Sequence, residues 1–322
     1  RMQTSKVFAM GGIVGDRAES NPFSPRRFAY EVPPVSHVDP DVIATIAALT
    51  VYPVKSCAGV PLTEAVLTEA GLDLDRAWMV VDARGEFVSQ RECPRMALVR
   101  PQIKTFEIIL RAPGMLALHL GIDTVEQPAR VRVWDDEVPA FDMGDVAAQW
   151  FTDFLGRPAR LVRFDPAHRR LSSLRWTGGI EAPNQFSDGF SLLVTSEASL
   201  VELNRRLQAT GQPPVDMARF RPNVVLGGVE AHDEDRLGVL RIDTGAGVAE
   251  LKPVKPCARC PIPDIDPATA VSHSAVSDTL QTYRRDRRLD GAVTFGMNAM
   301  VLRGDGQVLR VGQSVAADFR FD

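Results

Sequence analysis

The chain has 322 residues, 45% of them hydrophobic and 24% charged, with a net charge of −4. This is the balance of a globular protein, and it excludes the strongly basic surface of a nucleic-acid binder. Four cysteines are too few for a disulfide scaffold and suit a reducing compartment, and no run of ~18 apolar residues offers a transmembrane helix.

At ~150 residues per domain, the length gives two domains. Residues 1–46 stand apart. Lys6–Val14 is a short apolar run with a basic start but no cleavage site after it, and Ser20–Pro40 carries five prolines and no periodic face. The segment reads as a flexible leader on a cytoplasmic protein, with an organellar leader as the alternative.

Regular structure is expected from Ile46, where "IAALTVYPV" is β-prone and Pro53 marks an edge or an end. Ala77–Val81 and Glu86–Gln90, around Asp82–Gly85, read as a hairpin. Lys104–Arg111, Met115–Leu120 and Ala129–Trp134 read as further strands. A helix over Asp145–Leu155, capped by Asp145, puts Val146, Trp150 and Phe154 on one face. "ARLVRF" returns to strand, and the polar loop after it divides a domain over 47–165 from one over 166–322. The second half opens with a strand at Phe190–Val194. Leu200, Leu203 and Leu207 then take helical spacing behind Thr195 and Ser196. Strands are expected again at Asn223–Gly227, Val239–Asp243, Gly247–Pro253, Ala292–Leu302 and Val308–Val311. The fold class is α+β and β-rich.

"KPCARCPIPD" holds Cys257 and Cys260 in a C-x-x-C frame. Structural zinc needs four ligands, yet Cys57 and Cys93 are isolated and His37, His119, His168, His232 and His273 form no close pair. A thioredoxin-like pair should open a helix, and Pro263 forbids a continuous one. A third reading gives Cys260 to a soft metal, and two structural thiols in a loop are the plain alternative. Other segments suit an anion: Lys55 and Ser56 beyond a strand, Arg76 in "LDRAW", and Thr195 and Ser196 at a helix start. Arg221 in "FRPN" and Arg259 beside Cys260 complete the set. Each also has a plain role, as a solvated cation or a helix cap.

Four segments in this order, "LTVYPVKSCAGVPLTEAVLTEAGLDLDRAW", "FSDGFSLLVTSEASLVELN", "ARFRPNVVL" and "PCARCPIPDIDPATA", resemble the MOSC-domain family. The likeness is to members with an N-terminal MOSC β-barrel-like domain ahead of the MOSC β-barrel, the amidoxime reducers and bacterial reductases of N-hydroxylated bases. It runs from about Ile46 to Val311. It implies a molybdenum cofactor, with Cys260 as the catalytic thiolate ligand of the metal and Cys257 as its neighbour. Lys55, Ser56, Arg76, Thr195, Ser196, Arg221 and Arg259 then fall on the family's cofactor-binding positions. The implied activity is reduction of amidoximes, hydroxylamines and N-hydroxylated bases by oxygen-atom transfer. The alternative is a module that carries the cofactor, or its sulfur, without turnover. Phe295-Gly-Met-Asn298 departs from the mitochondrial pattern, which has an aromatic where Asn298 stands. With no C-x₄-C-x₂-C run for a [2Fe–2S] domain, electrons are expected from a separate donor protein.

Overall fold

Seven strands, numbered here among themselves, build a closed barrel: β1 (Val42–Val51), β2 (Leu192–Ser196), β3 (Val224–Gly227), β4 (Leu240–Asp243), β5 (Val248–Ala258), β6 (Ala292–Arg303) and β7 (Ser314–Ala317). The computed structural model describes residues 39–321. Around the ring the order is β2-β3-β1-β7-β4-β5-β6, and pairing of β2 with β6 closes it. All pairs are antiparallel except β2 with β3. Closure leaves this sheet no exposed edge along the ring.

Strand β1 shows how the sequence encodes the wall. Ala44 and Ile46 point inward, as do Leu49 and Val51. The step of three between Ile46 and Leu49 breaks the two-residue alternation, and there the register against β3 slips. The bulge re-aims the rest of the strand, so both halves bury their branched side chains. They meet Leu192, Val194, Leu226, Leu240, Leu251 and Val315 in one core.

This strand corrects two boundaries. The leader expected over 1–46 ends earlier, since Val42–Thr45 pair with β7 across the barrel wall. The first strand of the expected N-terminal domain is therefore a stave of the barrel made otherwise from residues 192–317. Residues 1–38 lie outside the described residues.

Between β1 and β2 the chain forms a second β body. Its four-stranded sheet runs Trp78–Val81, Arg160–Phe164, Asp136–Asp142, Gln127–Val133. Alternation splits this sheet cleanly. Trp78, Val80 and Leu161 face the helix Asp145–Leu155, with Phe151 and Phe154 beneath them. Met79, Val81, Val162 and Phe164 face away and pack on Phe186. The helix is where the sequence places it, with two differences. Gly144 is the cap residue and no side chain caps the helix, while Asp145 instead pairs with Arg160 at 3.0 Å. Val146 is exposed although its neighbour Ala147 is already in the core, because the buried face is centred on Ala147, Phe151 and Phe154 and Val146 lies off its edge. The second arm of the expected hairpin is reduced to a bridge between Val81 and Phe87.

Gly296 is where only glycine closes the barrel. Its φ is +76°, and a Cβ there would sit 2.7 Å from the Val194 carbonyl oxygen on β2. Among the described residues, no helix is long and apolar enough to cross a membrane.

Candidate functional site

A cleft opens where the loop after β1, the loop before β2 and the end of β5 meet. Its space is about 760 Å³ including the open mouth. Lys55, Ser56, Arg76 and Arg91 line it from the first half of the chain, and Asp188, Phe220, Arg221, Asn223, Arg259 and Asn298 from the second. Cys257 and Cys260 stand on the same wall, at and just past the end of β5.

Charge is the first feature. Lys55, Arg76, Arg91, Arg221 and Arg259 are the cationic lining, and Asp188 is its only carboxylate. Burial pushes the Lys55 amine down from its usual range, and Asp188 counters by pairing with it. Lys55 also donates to the Phe186 carbonyl at 2.7 Å. Burial raises the Asp188 carboxyl, but Lys55 and Arg91 outweigh it and hold it below the usual carboxylate range. Arg91 reaches Asp188 at 3.2 Å.

Arg76 and Arg221 form a second cluster. Arg76 pairs with buried Asp75 and donates to Asn223 Oδ1 at 3.0 Å. Arg221 donates to the Cys57 carbonyl at 2.6 Å. Both guanidiniums lie against the Tyr52 ring, at 4.4 and 4.3 Å. Burial, with the charge of Arg76 second to it, lowers Arg221 to about 10. Burial pushes the Tyr52 hydroxyl up to about 12. Taking a guanidinium out of water costs several kcal/mol unless it is compensated, in order of magnitude.

Arg259 is held by its ends, donating to Cys257 Sγ at 3.0 Å and to the Phe220 carbonyl at 3.1 Å. Its Nε is buried without a partner, as is that of Arg91. All four cysteines are free thiols. Burial lifts Cys57 to about 12, so it stays protonated. Among the described residues no group of three or more His, Cys, Asp or Glu gathers for a metal.

Backbone strain collects here too. Ser56, Arg76 and Arg221 all have positive φ, at 67°, 51° and 59°. Each such residue costs about 1–3 kcal/mol and persists only where its surroundings hold it.

Six of the eight sequence-derived site residues thus converge: Lys55, Ser56, Arg76, Arg221, Arg259 and Cys260. Thr195 and Ser196 do not. Both are fully buried outside the lining, and their hydroxyls are engaged. Thr195 donates to Met217 Sδ at 3.4 Å, while Ser196 caps the helix Glu197–Ala209 and donates to Glu234 at 2.8 Å. At the helix start the hydroxyls of Ser196 and Ser199 meet an internal carboxyl, that of Glu234. Sequence reading missed Arg91 and Asp188. "FSDGF" offered a signal for the latter, an acidic loop residue directly before β2.

Cations in excess, unpartnered guanidinium nitrogens and two thiols thus gather at one mouth of a β-barrel protein. Comparison with known proteins agrees with that class. The family models for the MOSC N-terminal beta barrel domain and the MOSC domain match residues 43–158 and 181–316. The chain is 36% identical over 288 residues to mitochondrial amidoxime-reducing component 1 of Homo sapiens, spanning 85% of this chain and 82% of that protein. It is 36% identical over 255 residues to the human component 2, spanning 75% and 73%. Human molybdenum cofactor sulfurase is 26% identical over 79% of this chain and 30% of its own length. The chain belongs to the MOSC-domain family.

Proposed function

We propose that the cleft binds molybdenum cofactor and that the protein reduces N-hydroxylated compounds, drawing electrons from a separate donor protein. One observation carries this reading. Five buried or half-buried cations, of which Arg221 and Arg259 have no carboxylate partner among the described residues, line the same cleft as a half-buried cysteine, Cys260. Lys55, Ser56, Arg76, Arg221 and Arg259 would hold the pterin phosphate, and Cys260 would supply the thiolate that a soft metal prefers. Bound there, the cofactor supplies two-electron oxygen-atom-transfer chemistry. The chain's own part is to neutralise the phosphate, fix the cofactor's orientation and keep the thiol at the mouth. The names of the relatives at 36% identity support the substrate class.

The test is elemental analysis for molybdenum on protein made in a cofactor-competent host, followed by turnover of benzamidoxime with an artificial reductant. Stoichiometric molybdenum with turnover supports the reading. The similarity to molybdenum cofactor sulfurase favours a second one, a cofactor carrier. Molybdenum bound without turnover selects the carrier, and no molybdenum rejects both.

A further inference from the structure

Trp134 stands at the rim of the cleft, yet neither the fold nor the cofactor site requires it there. It sits at the tip of the hairpin between Gln127–Val133 and Asp136–Asp142, 47% exposed and with φ at +57°. A two-residue hairpin turn takes a positive φ at its first position and usually places glycine there, so a bulky aromatic at that position is uncommon. Three contacts hold the indole in place. Its N–H donates to Asp188 at 3.3 Å, its ring meets Phe87 edge-on at 5.1 Å, and the Arg91 guanidinium lies 4.7 Å from the ring centroid. Asp188 and Arg91 both line the cleft. An exposed aromatic surface is therefore fixed one side chain outside the lining by two groups of the lining itself.

We propose that Trp134 is a specificity-determining residue, a stacking platform for planar, conjugated N-hydroxylated substrates such as aromatic amidoximes or N-hydroxylated bases. This rests on the reductase reading. The rim carries apolar π surface, and Asp188 is shared between Lys55 and Arg91. It therefore suits a flat neutral molecule better than a small polar one such as hydroxylamine. Stacking is tolerant of ring identity, because every aromatic ring offers a π face. The platform thus selects a shape and leaves the individual base or amidoxime open.

The test compares kcat/KM for benzamidoxime with that for hydroxylamine in wild type, Trp134→Ala and Trp134→Phe. The ratio is expected to fall about tenfold in Trp134→Ala, within the range of a lost base–aromatic stack, and to be largely kept in Trp134→Phe. Benzamidoxime is also titrated calorimetrically into molybdenum-loaded protein without reductant, and its affinity should weaken by a similar factor in Trp134→Ala. Where wild type turns over neither compound, the reductase reading fails and the calorimetric arm alone decides. An unchanged ratio, or an unchanged affinity in folded Trp134→Ala, overturns the proposal. Where Trp134→Ala does not fold, Trp134→Leu takes its place, and a ratio unchanged from wild type in that variant overturns the proposal.

Discussion

Arg76 donates from Nη2 to the backbone carbonyl of Arg221 at 3.2 Å, tying a cleft cation from one half of the chain to one from the other. The same guanidinium neutralises Asp75, which is 2% exposed and whose carboxyl burial pushes up against the pull of Arg76. Arg76 therefore has two tasks. Replacing it with Ala should weaken affinity for the cofactor roughly tenfold or more, the worth of one charge-assisted contact, and so lower molybdenum occupancy. It should also cost about 3–5 kcal/mol of stability, because a buried carboxylate loses its partner. Arg76→Lys should rescue little, since an ammonium cannot reach Asp75, Asn223 and the Arg221 carbonyl together. Occupancy and melting temperature, measured on the same preparations, check both parts. Full occupancy in Arg76→Ala would remove this residue from the cofactor site.

The two thiols separate by role. Cys260→Ser should abolish reductase activity, while Cys257→Ser should keep much of it. The Cys257 sulfur accepts from Arg259 at 3.0 Å, and a serine oxygen can accept in its place. The modest loss expected in Cys257→Ser should therefore appear as lower molybdenum retention, with activity per bound molybdenum near wild type. Equal inactivity of both variants, together with stoichiometric zinc, would replace the molybdenum reading with a metal clip.

Local patterns were legible and long-range closure was not. The helix Asp145–Leu155 and the strand-to-helix switch before Glu197 follow from periodicity alone. Four of the five cleft cations, all but Arg91, follow from the ordered motifs. Pairing of β1 with β3 joins Ile46 to Leu226, and no periodicity reports a partner that far along the chain. The surroundings of the helix start at Ser196 were hidden for the same reason. A free N-terminus attracts anions, and here its Ser196 and Ser199 hydroxyls meet the buried carboxyl of Glu234, whose arrival depends on tertiary packing. Trp134 was legible only as a strand residue, since its contact with Asp188 spans 54 positions.

Strand β1 makes a prediction about truncation. Relative to a chain beginning at Pro40, one beginning at Ala47 loses the pairing of Val42–Thr45 with β7 and the buried side chains Ala44 and Ile46. Losing a buried Ile alone costs about 2–5 kcal/mol. At roughly 2–4 °C per kcal/mol for a chain of this size, the melting point should fall by about 10 °C. Equal melting points would mean that the barrel closes without the first half of β1.

The last prediction concerns acid. Burial first, and then the nearby Arg284 and Arg206 guanidiniums, lower His232 to about 4 against the opposing pull of Glu202 and Asp233. Neither ring nitrogen has a hydrogen-bond partner in the structure. An unfolded histidine titrates near 6.5. Between those values the unfolded chain binds a proton that the folded chain refuses, so stability rises with pH across this window. The contribution is complete above about pH 6.5 and is lost as pH falls towards 4. At pH 5 the loss amounts to about 2 kcal/mol, from 1.4 kcal/mol for each pH unit below 6.5. His232→Asn removes the titration and keeps a residue that tolerates the φ of +69° found here. Denaturant unfolding at pH 7 and pH 5 should therefore show a smaller drop in the variant than in the wild type. If both proteins lose the same stability between the two pH values, His232 is not the group that titrates.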